Sequence, residues 1–258
     1  MGPPIDWKDR VVAVTGASSG IGAALAREIG RRGGSIVIAA RRADKLAEVA
    51  GSIAAPCVTV VADVTRRNDV ARILEVGKAR FGKVDAWVNN AGRGISRAVE
   101  DLTDDDVDEM IRMNVKSALY GMQTVLPHFK ERRHGHLVNV SSMLARVPFA
   151  TFRSAYSAAK HALNSLTENV RMDLSRDHPE IVVTCVMPGV VLTDFGINAL
   201  GGGADSRSLP GGQTAEQVAA IIADTLERGR GGDVYTALGA LERVLQYISA
   251  LAAERTAT

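Results

Sequence analysis

Val11-Val12-Ala13-Val14-Thr15-Gly16-Ala17-Ser18-Ser19-Gly20-Ile21-Gly22 passes from a short apolar strand, through a glycine-rich turn, into a segment with helical spacing that runs to about Arg32. Strand, turn, helix in that order makes a phosphate cradle. Glycines let the backbone turn tightly and approach a pyrophosphate, whose charge is met by N–H groups at the positive end of the helix. Gly16, Ser18, Ser19, Gly20, Ile21 and Gly22 are therefore candidate binding residues. The spacing is Gly-x-x-x-Gly-x-Gly, with Ser18 where the dinucleotide fingerprint Gly-x-Gly-x-x-Gly places its second glycine. A turn with a purely structural role is the plainer alternative.

Outward from this stretch the pattern repeats. A second strand, Ser35 to Ala40, ends about 20 residues past the turn, where a dinucleotide site reads the adenosine ribose. An NAD site wants Asp or Glu there, and this chain offers Arg41-Arg42. Guanidinium groups suit a 2′-phosphate through forked, charge-assisted hydrogen bonds, so NADP(H) is favoured over NAD(H). The alternative is that both arginines only begin the next surface helix. A third strand, Val58 to Ala62, ends in Asp63-Val64, and Thr65 is placed to cap a helix to about Arg80. A fourth, Val84 to Val88, ends in Asn89-Asn90-Ala91-Gly92. Such alternation predicts a parallel sheet with helices on both faces, and ligands gather at the carboxyl ends of its strands.

Beyond it, Thr103 with Asp106 can cap a long helical segment, Asp104 to Arg132, in which Pro127 marks a kink or the start of the last turn. Leu137 to Val140 reads as a buried strand ending in Ser141-Ser142, followed by a helix from about Ala155. Tyr156 and Lys160 stand four apart and so share one face of that helix. A free phenol, with a pKa of about 10, is a poor base near neutrality, and lowering it by about two units takes roughly 2.7 kcal/mol. A nearby ammonium can supply that, and a strand-end serine hydroxyl can hold a carbonyl or alcohol oxygen while the tyrosine moves the proton. The plainer reading of Tyr-x-x-x-Lys is a surface pair. Adjacent strand residues point to opposite faces, so geometry alone does not choose between Ser141 and Ser142.

Composition narrows the field. A chain of 258 residues suits one domain, 1–258, able to bury about three quarters of the surface its unfolded form exposes. With net charge +2 and its arginine pairs scattered, no basic block points to nucleic acid. Cys57 and Cys185 fall in strands predicted to be buried and have no Cys or His at metal-ligand spacing, so they read as core thiols in a reducing compartment, with no metal. Met1 to Arg10 lacks the apolar run of a signal peptide, Met1-Gly2 lacks the Ser or Thr of a myristoylation start at Asp6, and no apolar run reaches membrane-span length. The expectation is a soluble, cytoplasmic protein.

Taken together, Thr15-Gly16-x-x-x-Gly20-x-Gly22, Asn89-Asn90-Ala91-Gly92, Ser142, Tyr156-x-x-x-Lys160 and Pro188-Gly189 resemble the short-chain dehydrogenase/reductase family, from Arg10 to about Tyr235. The resemblance implies one Rossmann-like, doubly wound α/β domain with about seven parallel strands. It implies a catalytic tetrad at Asn114, Ser142, Tyr156 and Lys160, with Asn114 opening its helix locally and holding a water. It implies cofactor contacts from Asp63 and Val64 to the adenine, from Asn90, Ala91 and Gly92 along the cleft, and from Pro188, Gly189, Val191 and Thr193 around the carboxamide. Ser142 is favoured over Ser141 on the same ground. The separation of Ser142 from Tyr156 is one residue longer than is common, which puts a small insertion between Met143 and Ser154.

After Thr193 the chain turns glycine-rich, and residues 195–213 read as a substrate lid, an inert linker being the alternative. Ile181 to Val186 reads as a sixth strand, Thr214 is placed to cap a helix to about Arg228, and Asp233-Val234-Tyr235 to form the last strand. Leu241, Val244, Leu245, Ile248 and Leu251 fall on one stripe of a helix over 239–254, packed on the domain or a partner subunit; membrane attachment is a minor option for so few basic neighbours. Met143, Phe149, Phe152 and Phe195 are candidate substrate residues and hint at a bulky apolar ketone or alcohol, while Arg146 and Arg153 could meet an anion or face water. The expected activity is hydride transfer between NADP(H) and a carbonyl or secondary alcohol, in a homodimer or homotetramer. The alternatives are a non-catalytic NADPH sensor on the same fold or a 3-oxoacyl-carrier-type reductase.

Overall fold

The computed structural model describes residues 6–256, so the reading of Met1–Ile5 lies outside the described residues. Seven parallel strands form one sheet in the order β3-β2-β1-β4-β5-β6-β7. They are β1 (Val11–Thr15), β2 (Ser35–Ala40), β3 (Cys57–Val61), β4 (Ala86–Asn89), β5 (Gly135–Val140), β6 (Ile181–Met187) and β7 (Gly232–Tyr235). The helices are α1 (Gly20–Arg31), α2 (Ala43–Gly51), α3 (Arg67–Phe81), α4 (Asp104–Ile111), α5 (Ser117–Arg132), α6 (Ser154–Asp177), α7 (Ala215–Glu227) and α8 (Ala240–Thr256). This is the doubly wound α/β architecture predicted.

The central strands are apolar on both faces, as a sheet covered on both sides requires. Side chains alternate along each strand. Val12, Val14, Ile36, Ile38, Val88 and Val138 therefore pack with Leu25 and Ile29 of α1 and Val218, Ile222 and Leu226 of α7. Val11, Ala13, Val37, Trp87 and Leu137 point the other way, against Ile73 and Leu74 of α3, Val125 and Phe129 of α5, and Leu163 and Leu174 of α6. Strand order reverses between β1 and β4, so the loops leaving these two strands diverge and open a crevice at their carboxyl ends.

Local departures from the expected pattern have local causes. Thr65 does not cap α3: its hydroxyl donates to Asp63 Oδ1 (2.8 Å), and Arg66 is the residue at the cap. Cys185 is buried, but Cys57 is only half-buried, because β3 is an edge strand. The segment predicted as one helix over 104–132 begins with the expected capping box, Thr103 with Asp106, and keeps Pro127 within α5. Between α4 and α5, however, Arg112–Lys116 forms a wide π turn. The last helix docks through Ala240 and Val244 against Met143 and Val147. The rest of its predicted stripe, Leu241, Leu245, Ile248 and Leu251, stays exposed.

Candidate active site

A cleft of about 1270 Å³ runs across the carboxyl ends of the strands, from the glycine turn to the start of α6. At its first end Gly16 and Gly20 adopt positive φ, +66° and +55°, where a side chain would be strained. Close approach matters as much. A Cβ at Gly16 would stand 2.8 Å from Ala91 Cα, and one at Gly22 would stand 2.5 Å from Asn90 Nδ2. Asn90 in turn donates through Nδ2 to the carbonyls of Thr15 (2.9 Å) and Gly16 (3.3 Å), and Thr15 Oγ1 accepts from the N–H groups of Asn90 (3.0 Å) and Ala91 (3.2 Å). Asn90 thus braces the turn from β4. Gly16, Ser18, Ser19, Gly20, Ile21, Asn90, Ala91 and Gly92 line the cleft; Gly22, read from the sequence as a contact residue, is turned inward and packs on Asn90 instead.

Ala40, Arg41, Arg42, Asp63 and Val64 line the same end. Arg42 Nη2 donates to the hydroxyls of Ser18 (3.1 Å) and Ser19 (3.0 Å), which fixes its guanidinium at the rim of the turn. The Asp63 carboxyl sits below its ordinary pKa. Partial burial works against this, but hydrogen bonds from the Thr65 backbone and hydroxyl and the charges of Arg41 and Arg112 outweigh it.

At the other end stand Ser142, Tyr156 and Lys160. Tyr156 and Lys160 are 7% and 3% exposed, and Lys160 Nζ lies 5.7 Å from the centre of the Tyr156 ring. Burial opposes the effect expected of Lys160 on the phenol. Burial pushes the Tyr156 pKa up to about 12, opposed by the Ser142 hydroxyl and by the charge of Arg153. Lys160 donates to the Val140 carbonyl (2.8 Å), and burial brings its own pKa down to about 8. The two serines have separate tasks. Ser141 donates to Asn164 Oδ1 (2.5 Å), so it is tied to α6, whereas Ser142 faces the phenol and caps the short turn at Met143–Ala145.

Asn114 lies inside the π turn and is 1% exposed. Its Nδ2 donates to the carbonyls of Arg93 (2.9 Å) and Met110 (3.1 Å), and its Oδ1 accepts from Arg93 N–H (3.2 Å). It does not line the cleft but sits behind Gly92, where a Cβ would stand 2.8 Å from Asn114 Oδ1 and 3.6 Å from Lys160 Nζ. The missing side chain at 92 is what leaves space between amide and ammonium.

Pro188, Gly189, Val191 and Thr193 follow β6 along the cleft wall, with Pro188 accepting from Met143 N–H (2.9 Å). The 195–212 segment is pinned at its base by pairing of Val191 with Gln213, and midway by pairing of Ile95 with Leu200. Phe195 meets the Tyr156 ring edge-on, centroids 5.4 Å apart. Met143 is buried, and Phe149, Phe152 and Phe195 line the cleft with exposed rings. Leu209, Thr236 and Arg243 also line it. Leu209 belongs to the predicted 195–213 lid, but sequence reasoning missed Thr236 and Arg243 because they come from segments without a motif.

The cleft fits a dinucleotide: one end offers a glycine turn with two serine hydroxyls and two arginines, the other a phenol and an ammonium, with Cβ-free positions between them. This is the architecture of Rossmann-type nucleotide-dependent enzymes. The sequence profile described as short chain dehydrogenase matches residues 10–200, and the chain belongs to that family. An uncharacterized oxidoreductase of Staphylococcus aureus is 35% identical over 213 residues, covering 81% of this chain and 89% of its own. Among solved structures, a short chain dehydrogenase of Burkholderia cenocepacia in complex with NADP is 29% identical, with a TM-score of 0.78 over 92% of this chain and 99% of that one. A 3-ketoacyl-(acyl-carrier-protein) reductase of Brucella melitensis complexed with NADH is 27% identical, with a TM-score of 0.78 over 88% and 97%. The protein is thus an oxidoreductase of the short-chain dehydrogenase/reductase family. Among the described residues no helix is long and apolar enough to cross a membrane.

Proposed function

We propose that this oxidoreductase uses NADP(H) to interconvert a carbonyl compound and its secondary alcohol, with Tyr156 carrying the proton. The observation that carries the reading is the meeting of Ser142, Tyr156 and Lys160 in the cleft that begins at the glycine turn. A bound nicotinamide supplies or accepts the hydride at the substrate carbon. The chain's own residues do the rest. Ser142 donates a hydrogen bond to the substrate oxygen, and the neutral Tyr156 phenol gives that oxygen its proton during reduction. Burial keeps the phenol protonated and suits it to that task. Lys160 stabilises the phenolate left behind, and Asn114 holds the backbone of Arg93 against the π turn so that the space beside Lys160 stays open.

Arg41 and Arg42 support NADP(H) over NAD(H). They occupy the rim where the ribose would lie, and that rim carries no glutamate; the one acidic side chain beside it, Asp63, is engaged with Thr65. The relative complexed with NADP agrees with this reading, while the one complexed with NADH shows that the fold accommodates either cofactor. Residues 195–212 would cover the substrate, since both ends of the segment are anchored beside the cleft.

The test is cofactor oxidation over a panel of carbonyl compounds, with Tyr156→Phe as control. Loss of a general acid costs about 10²–10⁴-fold in rate. The variant is expected to lose turnover by that factor while still binding NADPH, measured by fluorescence titration. Near-normal turnover in Tyr156→Phe would remove the mechanism, and tighter binding of NADH than NADPH would remove the cofactor assignment.

A further inference from the structure

Arg153 immediately precedes α6, three positions before Tyr156, and its guanidinium forms part of the cleft wall. Nη1 donates to the Ile95 carbonyl (3.1 Å), and the group lies over the Phe152 ring at 5.3 Å. It packs closely on two glycines. A Cβ at Gly94 would stand 2.9 Å from Nη1, and one at Gly203 would stand 3.3 Å from Nη2. The same Gly94 Cβ would stand 2.9 Å from the Phe195 ring, which in turn meets Tyr156. Guanidinium, Phe195 and phenol therefore border one space.

What distinguishes Arg153 from its neighbours is the lack of an acid. Arg146 pairs with Asp233 (2.6 Å), Arg207 with Asp194 (2.5 Å), Arg97 with Asp106 (3.4 Å), and Arg93 with Glu109 (3.8 Å). Among the described residues no carboxylate lies within ion-pair distance of Arg153, and only one of its five N–H donors is used by the chain. Burial lowers its pKa, which measures the cost of holding the charge there without a counter-ion. A half-buried, unpaired fork held by one backbone carbonyl is arranged for an anion that comes from outside.

We infer that Arg153 is an anion subsite, and that the substrate is an oxo acid, or the matching hydroxy acid, whose carboxylate lies a few bonds from the reacting carbon. The inference rests on the oxidoreductase reading above and narrows its substrate class. A planar carboxylate matches the guanidinium fork through two parallel hydrogen bonds. Arg153 stands at the start of α6 with its charge acting on the Tyr156 phenol, and both residues line the cleft, so an oxygen at Tyr156 and a carboxylate at Arg153 belong to one small molecule. The exposed rings of Phe149 and Phe152 leave room for an apolar body on the same substrate.

The experiment compares each acid with its neutral methyl ester: benzoylformate and levulinate against their esters, by initial rates of NADPH oxidation. The wild type is expected to prefer the acids by about 10-fold or more in kcat/KM, expressed in KM. Arg153→Met should bring the acid-to-ester ratio to about one or below, and Arg153→Lys should restore part of the preference. A second measurement does not depend on the variants: phenylacetate should compete with the ester substrates in the wild type, and phenylacetamide should not. Turnover of the esters with no preference for the acids, an acid-to-ester ratio that Arg153→Met leaves unchanged, or equal inhibition by phenylacetate and phenylacetamide each overturns the subsite while the oxidoreductase reading stands. No turnover of any carbonyl compound overturns both.

Discussion

Tyr156 shows how far residue types alone predict chemistry. The four-residue spacing correctly put the phenol and Lys160 on one face of a helix, yet the structure has the ammonium donating to Val140 and the phenol's pKa raised to about 12 by burial. Spacing reports which face a side chain takes but not how much water is removed from it, and desolvation is the larger effect here. The sign of the pH dependence follows. Reduction draws on a proton that the buried phenol keeps well past neutral pH, whereas oxidation needs the phenol to give it up, so alcohol oxidation is expected to rise toward alkaline pH while carbonyl reduction stays level. Initial rates in both directions from about pH 6 to about pH 10 check this; a parallel rise of both rates would contradict it. At the other end of the cleft, the arginine pair is proposed as an anion site because the ribose position lacks Asp or Glu. Hydrogen bonds to a charged group are worth about 1.5–3 kcal/mol, so Arg42→Ala should weaken NADPH binding by about 10–150-fold and NADH binding much less. An equal loss for both cofactors would mean that Arg42 serves only to hold Ser18 and Ser19.

At the scale of the elements, periodicity located all seven strands, with ends shifted by at most about two residues, since apolar runs between turn signals are strong markers. It did not show the π turn at Arg112–Lys116, because a change of hydrogen-bond register inside a helix leaves the apolar pattern nearly intact. Asn114 was accordingly singled out only through family resemblance. The edge position of β3, which leaves Cys57 half-exposed, was hidden for a related reason: strand order is a tertiary fact. The π turn has a consequence that can be measured. It holds Asn114 Oδ1 near Lys160 Nζ with only Gly92 between them, so Gly92→Ala would put a methyl 2.8 Å from the amide oxygen. Closing a shared polar space by overpacking typically costs about 1–3 kcal/mol. Gly92→Ala is expected to lower kcat well before it lowers the melting temperature by more than a few degrees, whereas Gly51→Ala, facing open space, should change neither. Equal effects of the two substitutions would show that the space beside Lys160 has no bearing on turnover.

For the molecule as a whole, histidines whose pKa burial lowers, His128, His134 and above all His136, make the fold sensitive to acid. His136 on β5 is inside the sheet, its Nε2 2.8 Å from Thr184 Oγ1, and Thr184 donates onward to the Arg230 carbonyl (2.8 Å). Since that hydroxyl is spent as a donor, the imidazole must be the donor to it and remains neutral. Burial, with smaller contributions from Arg10 and His134, lowers its pKa from 6.5 to about 3. The unfolded chain therefore binds the extra proton across pH 3 to 6.5, and the folded chain does not. Stability from this group is complete above pH 6.5 and is lost as the pH falls through that window, by up to about 1.4 kcal/mol per unit. Glu28, lowered to about 2 chiefly by its hydrogen bond from Arg31, adds a loss only below about pH 4.5, so of these two groups only His136 acts between pH 7 and 5. Urea midpoints measured from pH 7 to 5 should thus decline in the wild type. His136→Gln keeps a donor toward Thr184 but has no proton to bind, so its midpoints should decline less over the same interval, even if the variant is less stable at pH 7. Parallel slopes in the two proteins would mean that the loss near pH 6 arises from groups other than the histidine buried under β5.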